Sequence, residues 1–572
     1  MNRTLILAAT ILAATSTSAL PTPSPPPQFP AIPLCHIPDP AGTVPESLAG
    51  WAQGAQLFAG LGTRTRPVTT RSAEAQAYFD QGLRWLWAFN HDEATRSFAR
   101  AAILDPSCAM CFWGVALTIG PNYNYPILNE ARGRVAYSAM QKALSLTPKA
   151  SPVEQALIHA LTARYPTTGA LTSDHIHKAE IAYANEMRKV ASAFPADDDV
   201  QVLTGEAIMT INAWKLWSLD GHPADGTMEV LQRLQTVMAR DPSHPGANHY
   251  YVHAVEASPH PEMAVAAAER LRGMMPGAGH LDHMPAHIFQ RVGRYHDAAE
   301  ANRLGALADL AYYKRTSPLD YYSGYTAHNF QFLAMSAAME GNSAETNDAA
   351  EHSRASESDI ILLNHHGDDW VMGDLYMARV RFGDWKALIA TPAPDPRLTN
   401  LTAAWAYARG MALASTGDRK GAQKMLQRIE LLEKSAKPDA QTSANKTQSI
   451  FSLASLILQS RIAGKSGDGH SEIALLQKAV IIEDGLAYNE PADWFIPARH
   501  YLGAAQLAAN QPAAAELTYR QDLARNPENG WSLFGLTQAL KAQHKTAEAQ
   551  AIQARFDTAW QYADTNLKSS VF

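Results

Sequence analysis

The chain alternates amphipathic stretches with short polar turns along most of its length. From about residue 75 onward, apolar residues recur three and four positions apart in stretches of roughly 12 to 16 residues, and turns rich in Gly, Asn, Asp or Pro separate these stretches. Strict alternation of apolar and polar residues, which would indicate strands, is almost absent from the sequence. The pattern therefore predicts an all-α fold.

The segment 75–108 carries the signature of a helical repeat. Small or apolar residues occupy places 4, 8, 11, 20, 24, 27 and 32 of a 34-residue unit, where the two helices of a repeat and the next repeat touch. These residues are Tyr78, Gly82, Trp85, Ala94, Phe98, Ala101 and Pro106. The segment resembles the tetratricopeptide repeat (TPR), and the resemblance implies an α-solenoid, a superhelix of helix-turn-helix units.

Further copies of the signature lie near the end of the chain. Gly503, Tyr519 and Pro527 follow the same pattern, and Gly535 comes 32 residues after Gly503. Longer strings, such as CAMCFWGVALTIGPNYNYP and GHLDHMPAHIFQRVGRY, resemble segments of long, exported bacterial TPR proteins to which no activity is attached. This resemblance covers most of the chain after residue 75 and implies the fold, while the function stays open.

The start of the chain has the features of an export signal. Residues 1–19 combine an early arginine, an apolar run and small residues at a cleavage position, which predicts a signal peptide and a periplasmic or extracellular location. Residues 20–50 form a Pro-rich leader. We expect a TPR-like superhelix over 51–390 and C-terminal TPR repeats over 400–572, with the break in the Pro/Asp-rich string ATPAPDPRLTN.

Composition narrows the range of partners. Apolar residues make up 46% of the chain and charged residues 18%, and the net charge is −7, so the chain lacks the basic excess that binds phosphate backbones. After the signal, the sequence contains no uninterrupted apolar run of about 18 residues. We therefore expect a soluble protein with no membrane span and no nucleic-acid partner, whose ligand is a protein, a peptide or a small molecule.

Histidines concentrate in one part of the chain. Seven of the 21 histidines lie between His244 and His287, and several have spacings that place them on one face of a helix. The residues with these spacings are His249, His253 and Glu256 in one string and His280, His283 and His287 in the next. Five imidazoles and a carboxylate on neighbouring helices predict a site for zinc, copper or iron.

Each part of this hypothesis has an alternative. Glu256 is a candidate metal ligand or general base, while the histidines can instead be packing residues that bond to neighbouring backbone groups. Pro285 suits the first turn of a helix, which predicts that His280 and His283 lie in the loop before it. His328 is a further candidate for the cluster, whereas His365 and His366 are expected in a solvated turn.

The three cysteines allow several arrangements. Cys108 and Cys111 stand at the start of a predicted helix, where a disulfide between them is the favoured arrangement in an exported protein. A bridge from Cys35 to either of them is the second arrangement. A soft-metal site that includes Met110 is the third.

Aromatic residues beside polar groups are candidates for a ligand-binding groove. In a superhelix such residues either wedge repeats together or line the concave surface. The candidates are Asn329, Trp494, Arg499 and Trp531.

Two function hypotheses follow from the sequence. The first is an exported TPR-type interaction protein whose concave groove holds a peptide, protein or small ligand, with structural histidines or a structural metal. The second is a metal-dependent enzyme, a hydrolase or an oxidoreductase, that uses the central histidines. The sequence contains no phosphate-binding loop, nucleophile elbow, HExxH or haem-attachment motif, so the common enzyme classes built on these motifs are disfavoured.

Overall fold

Helices make up most of the chain that the computed structural model describes, which is residues 44–166, 173–316, 322–364 and 369–572. The first nine helices are α1 Leu48–Ala52, α2 Ala73–Trp87, α3 His91–Leu104, α4 Ala109–Ile119, α5 Glu130–Leu146, α6 Pro152–Leu161, α7 Ser173–Ala193, α8 Asp198–Ile211 and α9 Thr227–Arg240. The next nine are α10 Pro245–Glu256, α11 Val265–Leu271, α12 Gly279–His283, α13 Pro285–Arg291, α14 Tyr295–Tyr313, α15 Tyr322–Glu340, α16 Ser343–Ser356, α17 Asp359–Asn364 and α18 Asp374–Arg381. The last nine are α19 Trp385–Ala390, α20 Thr399–Ser415, α21 Arg419–Ser435, α22 Thr447–Lys465, α23 Gly469–Asp484, α24 Ala498–Ala508, α25 Pro512–Arg525, α26 Gly530–Ala542 and α27 Thr546–Ala559.

Some sequence predictions fall outside the described residues. These are the signal peptide, most of the Pro-rich leader, Cys35, and the pair His365 and His366. Within the described ranges, no helix has both the length and the apolar character needed to cross a membrane.

The first repeat packs as its glycines predict. A Cβ atom on Gly82 would lie 2.7 Å from Phe98 Cε1, and one on Gly114, in the next repeat, would lie 2.4 Å from Phe98 Cδ1. Both distances are too short for a real methyl group. The ring of Phe98 therefore fills the space between two glycines 32 residues apart, which confirms the predicted repeat register and the all-α solenoid fold.

The C-terminal repeats also pack an aromatic ring between two glycines. Gly503 and Gly535 flank the ring of Tyr519, with Cβ positions that would lie 2.4 and 2.1 Å from its Cζ atom. Two ends of the chain, more than 400 residues apart, thus build their helix pairs around one buried aromatic ring and two glycines.

The hydrophobic core does not divide at the Pro/Asp-rich string. Leu388 and Leu401, on either side of it, belong to the same core. Helix α14 instead contributes to two cores, because Ala298 packs with the N-terminal one and Ala299 packs with the one that follows.

A short β-hairpin holds the loop of residues 485–497, which lies between α23 and α24 and contributes to the candidate metal centre. Its strands are β1 Gln441–Thr442 and β2 Asn445–Lys446, which pair antiparallel. Asn445 Nδ2 donates to Asp493 Oδ2 at 2.6 Å, and Asn489 Nδ2 donates to Asp493 Oδ1 at 2.6 Å. Trp370 Nε1 donates to the Asp493 carbonyl oxygen at 2.7 Å. Asp493 thereby ties the loop to the hairpin and to the preceding repeats.

Candidate metal centre

Helix α10 carries the first two histidines of the centre and Glu256. All three side chains are at most 1% exposed. His249 Nδ1 donates to the Trp87 carbonyl oxygen at 2.6 Å, and His253 Nδ1 lies 3.0 Å from Glu256 Oε1. A carbonyl or carboxylate oxygen only accepts, so the proton sits on Nδ1 and the lone pair on Nε2. Neither Nε2 atom has a hydrogen-bond partner among the described residues.

Helices α12 and α13 carry the next three histidines. The prediction that His280 and His283 lie in a loop was wrong, because residues 279–283 form the short helix α12, and Pro285 begins α13 directly after it. His283 Nδ1 lies 2.5 Å from Asn302 Oδ1. Because the Asn302 amide nitrogen already donates to the Ala298 carbonyl, its oxygen faces the ring as an acceptor. His283 Nε2 is therefore left with a lone pair.

The five predicted histidines and His328 come together in two groups of three. His249, His253 and His280 form the first triad, with one donor nitrogen from each ring within 4.8 Å of the others. Both ring nitrogens of His280 are buried without a hydrogen-bond partner. Phe89 packs against all three rings, with centroid distances of 4.5 to 5.7 Å. The first triad therefore packs against an aromatic side chain, and four of its six ring nitrogens lack the polar partners that buried imidazoles usually have.

The second triad consists of His283, His287 and His328. His283 Nε2 lies 2.6 Å from His287 Nε2 and 3.2 Å from His328 Nε2. Nitrogen ligands of one tetrahedral ion with bonds of 2.0 to 2.1 Å are about 3.3 Å apart. The distance from His283 to His328 matches this spacing, whereas 2.6 Å is the length of a hydrogen bond between the rings of His283 and His287, which would move apart to bind one ion.

Two buried carboxylates lie beside the triads. Glu256 Oε2 is 2.8 Å from His287 Nδ1, and Glu490 from the 485–497 loop contacts the same nitrogen. Glu256, predicted as a ligand or a base, therefore faces Nδ1 atoms of two histidines with its two oxygens. Together with His287 and Glu490 it forms a third group of donor atoms within 4.8 Å.

Burial and these contacts set the protonation states. Burial lowers the pKa of His249, His280 and His283 well below the usual histidine value, so these rings are neutral, the form that binds metal. Burial also lowers the pKa of His287, but Glu490 and Glu256 outweigh it and raise that pKa to about 10. In the metal-free protein His287 is therefore protonated on both nitrogens, and an ion in the second triad would have to displace the proton on its Nε2 atom.

Sequence reasoning missed Glu490 and the aromatic enclosure. Glu490 lies more than 150 residues from every other member, and its only signal is an acid within the aromatic string YNEPADWF. Tyr325, whose ring stacks on His280 at 4.6 Å, and Phe332, 5.1 Å from His287, both lie on α15 with His328. Their places are typical of core aromatics, so the sequence does not distinguish them from ordinary packing residues.

A cavity of about 570 Å³ adjoins the centre at Glu490. Trp494 and Arg499, two of the predicted groove residues, contribute to its wall together with Arg291. Arg499 is paired with Asp484 through bonds of 2.6 and 2.7 Å. The cavity therefore combines aromatic and charged groups next to a carboxylate that touches a histidine of the second triad.

The other two predicted groove residues lie elsewhere. Asn329 is fully buried and donates to Asp309 Oδ2 at 2.9 Å. Trp531 is also fully buried, and its indole N–H donates to the Ala338 carbonyl oxygen at 2.8 Å. In this structure both are packing residues inside the repeats and not part of the cavity wall.

The structure places Cys108 and Cys111 in a disulfide at the start of α4. Cys108 is the N-cap residue of this helix, and its sulfur accepts from the Cys111 backbone N–H. Both cysteines are fully buried, far along the chain from the histidines.

Comparisons with known proteins give information about the fold and none about the function. No family model matches the chain, and no curated protein matches it. Among solved structures, a human IFIT1 dimer with m7Gppp-AAAA aligns over 80% of this chain and 90% of its own, at 12% identity and a TM-score of 0.32. The APC/C hetero-tetramer Cut9-Hcn1 aligns over 82% and 76%, at 13% identity and a TM-score of 0.30.

A third solved structure is the TPR domain of P58(IPK), which aligns over 83% of this chain and 99% of its own, at 12% identity and a TM-score of 0.20. Likenesses this remote carry no argument about ligands. The helix pairs and the two glycine–aromatic layers make the chain a helical-repeat protein with TPR-like units.

Proposed function

We propose that the chain is a metalloprotein whose central histidines bind a transition metal, zinc, copper or iron. The observation that carries the proposal is the convergence, in the first triad, of four buried ring nitrogens without hydrogen-bond partners: His249 Nε2, His253 Nε2 and both nitrogens of His280. Each buried polar atom left unpaired costs about 1 to 3 kcal/mol. A metal ion satisfies such nitrogens, since neutral imidazole is a ligand for all three metals.

The tautomers support metal ligation over simple packing. Metal-binding histidines donate their other N–H group to a carboxylate or a backbone carbonyl, which orients the ring. His249 does so toward Trp87, and His253 does so toward Glu256. Buried packing histidines usually use both nitrogens in hydrogen bonds. These two rings use one each, as His91 does outside the triads, but only theirs point free nitrogens toward other imidazoles.

The cavity beside Glu490 favours a metal-dependent enzyme over a purely structural metal. When bound, a metal ion at three imidazoles supplies a Lewis acid with an open coordination position. Glu490 and Arg291 lie between the second triad and the cavity, where they can orient a small ligand. We place the activity among hydrolases or oxidoreductases.

A binding role without chemistry is the second candidate. The cavity wall, with Trp494 and Arg499, also suits a peptide side chain or a small ligand held for recognition alone. In either case the export signal predicted over residues 1–19 supports a periplasmic or extracellular protein.

Elemental analysis of full-length protein, purified without an affinity tag that binds metal, tests the proposal. We expect a stoichiometric transition metal in the parent protein and its loss from the His249→Ala/His253→Ala double variant, with the helical circular dichroism spectrum kept. His260→Ala, which changes an exposed histidine between the two strings, is the matched control and should keep the metal. A parent protein that takes up no metal after incubation with zinc, copper or iron would overturn the proposal.

A further inference from the structure

The six histidines fall into two separate donor sets, and we infer that the centre is binuclear, with one ion in each triad and Glu256 as the residue that positions both. This inference rests on the proposed metal function and specifies its site. It concerns first-row ions that accept three neutral imidazoles, which are copper and zinc above all.

No ring needs to be shared between the two ions. The first triad draws on α10 and α12, and the second draws on α12, α13 and α15. The donor nitrogens within each triad lie within 4.8 Å of one another. Three imidazoles complete the protein ligands of a common kind of metal site, so each triad is sufficient for one ion and leaves an open position.

The two triads are direct neighbours. The ring centroids of His280 and His283 are 5.8 Å apart, and those of His253 and His287 are also 5.8 Å apart. Each of these pairs takes one histidine from each triad. Two ions held in this way would lie side by side in one enclosure, as in sites where two metals act on one substrate.

Glu256 connects the triads through its two carboxylate oxygens, with a hydrogen bond to one triad and an ion pair to the other. Its Oε1 atom accepts from His253 Nδ1, in the first triad, at 3.0 Å, and its Oε2 atom lies 2.8 Å from His287 Nδ1, in the second. A carboxylate that accepts from Nδ1–H leaves Nε2 free to bind metal and fixes the plane of the ring. One side chain therefore sets the tautomer of His253 in the first triad and places a negative charge beside Nδ1 of His287 in the second.

Glu490 differs from Glu256 in this respect. It contacts His287 alone among the six histidines, and it reaches the centre from the loop beside the cavity. A third ion among Glu256, His287 and Glu490 would have to displace the Nδ1 proton of His287, which both carboxylates stabilise by their negative charge. The geometry thus assigns the carboxylates to positioning and the six imidazoles to ligation.

Counting bound ions tests the binuclear assignment. The full-length protein is freed of metal with a chelator, loaded separately with Zn(II) and with Cu(II), desalted and analysed for metal per chain. We expect two ions per chain in the parent, one in His280→Phe, one in His328→Phe, and none in the variant that carries both changes.

The outcomes separate the inference from the proposed function. One ion in the parent would overturn the binuclear centre and leave the metal function standing, while no ion would overturn both. Three ions would overturn the positioning role of the carboxylates. Comparison of the Zn(II) and Cu(II) arms shows which ion the imidazoles hold more tightly.

A second pair of variants tests the role of Glu256. In Glu256→Gln the amide accepts one Nδ1–H group but presents its own N–H group to the other, so we expect affinity to fall about 10- to 100-fold at both sites. Glu490→Gln should weaken the His287 triad only. A Glu256→Gln variant that weakens one site, or neither, while it keeps the parent's helical spectrum, would overturn the shared positioning role.

Discussion

His500 in the C-terminal repeats and the histidines of the first triad are all buried, but they differ in whether their ring nitrogens have hydrogen-bond partners. In the C-terminal repeats, His500 Nε2 donates to Asp522 Oδ2 at 2.9 Å, and its Nδ1 accepts from Arg381 at 3.0 Å. Asp522 Oδ2 also accepts from Ser532 at 2.6 Å and from Asn529 at 3.0 Å. Both nitrogens of His500 thus have partners within a closed network.

The first triad lacks such a complete set of hydrogen-bond partners. His249 and His253 use one nitrogen each, and His280 uses neither, although all three are as deeply buried as His500. Residue type and burial are the same in both regions, so neither identifies a site. The two groups differ in which ring nitrogens have a hydrogen-bond partner. This difference distinguishes a structural histidine from a candidate metal ligand.

The largest expected effect on stability comes from removing Asp522, the acceptor at the centre of the C-terminal hydrogen-bond network. Asp522→Ala leaves the N–H group of His500, the hydroxyl of Ser532 and the amide of Asn529 without their acceptor, so we expect a loss of about 3 to 5 kcal/mol in the free energy of unfolding. Chemical denaturation measures it. Asp557→Ala, on the exposed face of α27, is the control and should change stability by under about 0.5 kcal/mol. A loss below about 1 kcal/mol for Asp522→Ala would remove the contrast between the regions.

Acid should weaken the same network by a smaller amount. Burial raises the pKa of Asp522, but His500, Ser532 and Asn526 outweigh it and hold that pKa at about 2, below the usual 3.8. Stability from a depressed carboxyl pKa is present above pH 3.8 and is lost as the pH falls through about 2. The depressed pKa of Asp522 contributes about 2 kcal/mol to the free energy of unfolding.

Asp522→Asn is the variant that isolates this titration. Amide hydrogen exchange in α24 to α26, measured between pH 5 and pH 2.5, should show the difference in opening free energy between parent and variant shrinking as the pH falls. A difference that stays constant over this range would mean that Asp522 does not hold a depressed pKa in the folded protein.

The repeat architecture was predictable from the sequence because its signals are local. Glycine 16 residues before an aromatic ring, and again 16 residues after it, is a pattern that the chain repeats at Phe98 and at Tyr519. The packing of those rings between glycines follows directly from the spacing. Each repeat contacts mainly its neighbours, so short-range patterns carry most of the fold.

The candidate site was predictable only in part, for the same reason. Spacing along α10 and α13 placed His249, His253 and His287 on helices, and these contacts are local. Glu490 approaches from a loop more than 200 residues away, and no spacing rule connects it to His287. Trp494 and Trp531 look alike in sequence, yet only the first lies in the cavity wall, because the stacking of distant repeats decides which aromatics are covered.

The smallest expected effect is an increase, not a decrease, in the stability of the protein. His280→Phe keeps an aromatic ring between Phe89 and Tyr325 and removes two buried nitrogens that have no partner. Unpaired buried polar atoms destabilise the folded state, and the variant removes two of them. The phenyl ring is larger than imidazole, which offsets part of this gain. We expect the metal-free variant to be more stable than the metal-free parent by about 1 kcal/mol. Denaturant titration in the presence of a chelator measures the difference.

His500→Phe is the matched control for this prediction, since it makes the same change at an equally buried histidine whose nitrogens are both paired. It should destabilise the protein, because Asp522 and Arg381 lose their shared partner and remain buried. Opposite signs for the two variants would show that the central region carries unpaired groups at a cost in stability, as residues kept for binding often do. If His280→Phe destabilised the metal-free protein as much as His500→Phe does, His280 would be a packing residue, and the first triad would lose its distinction from the C-terminal network.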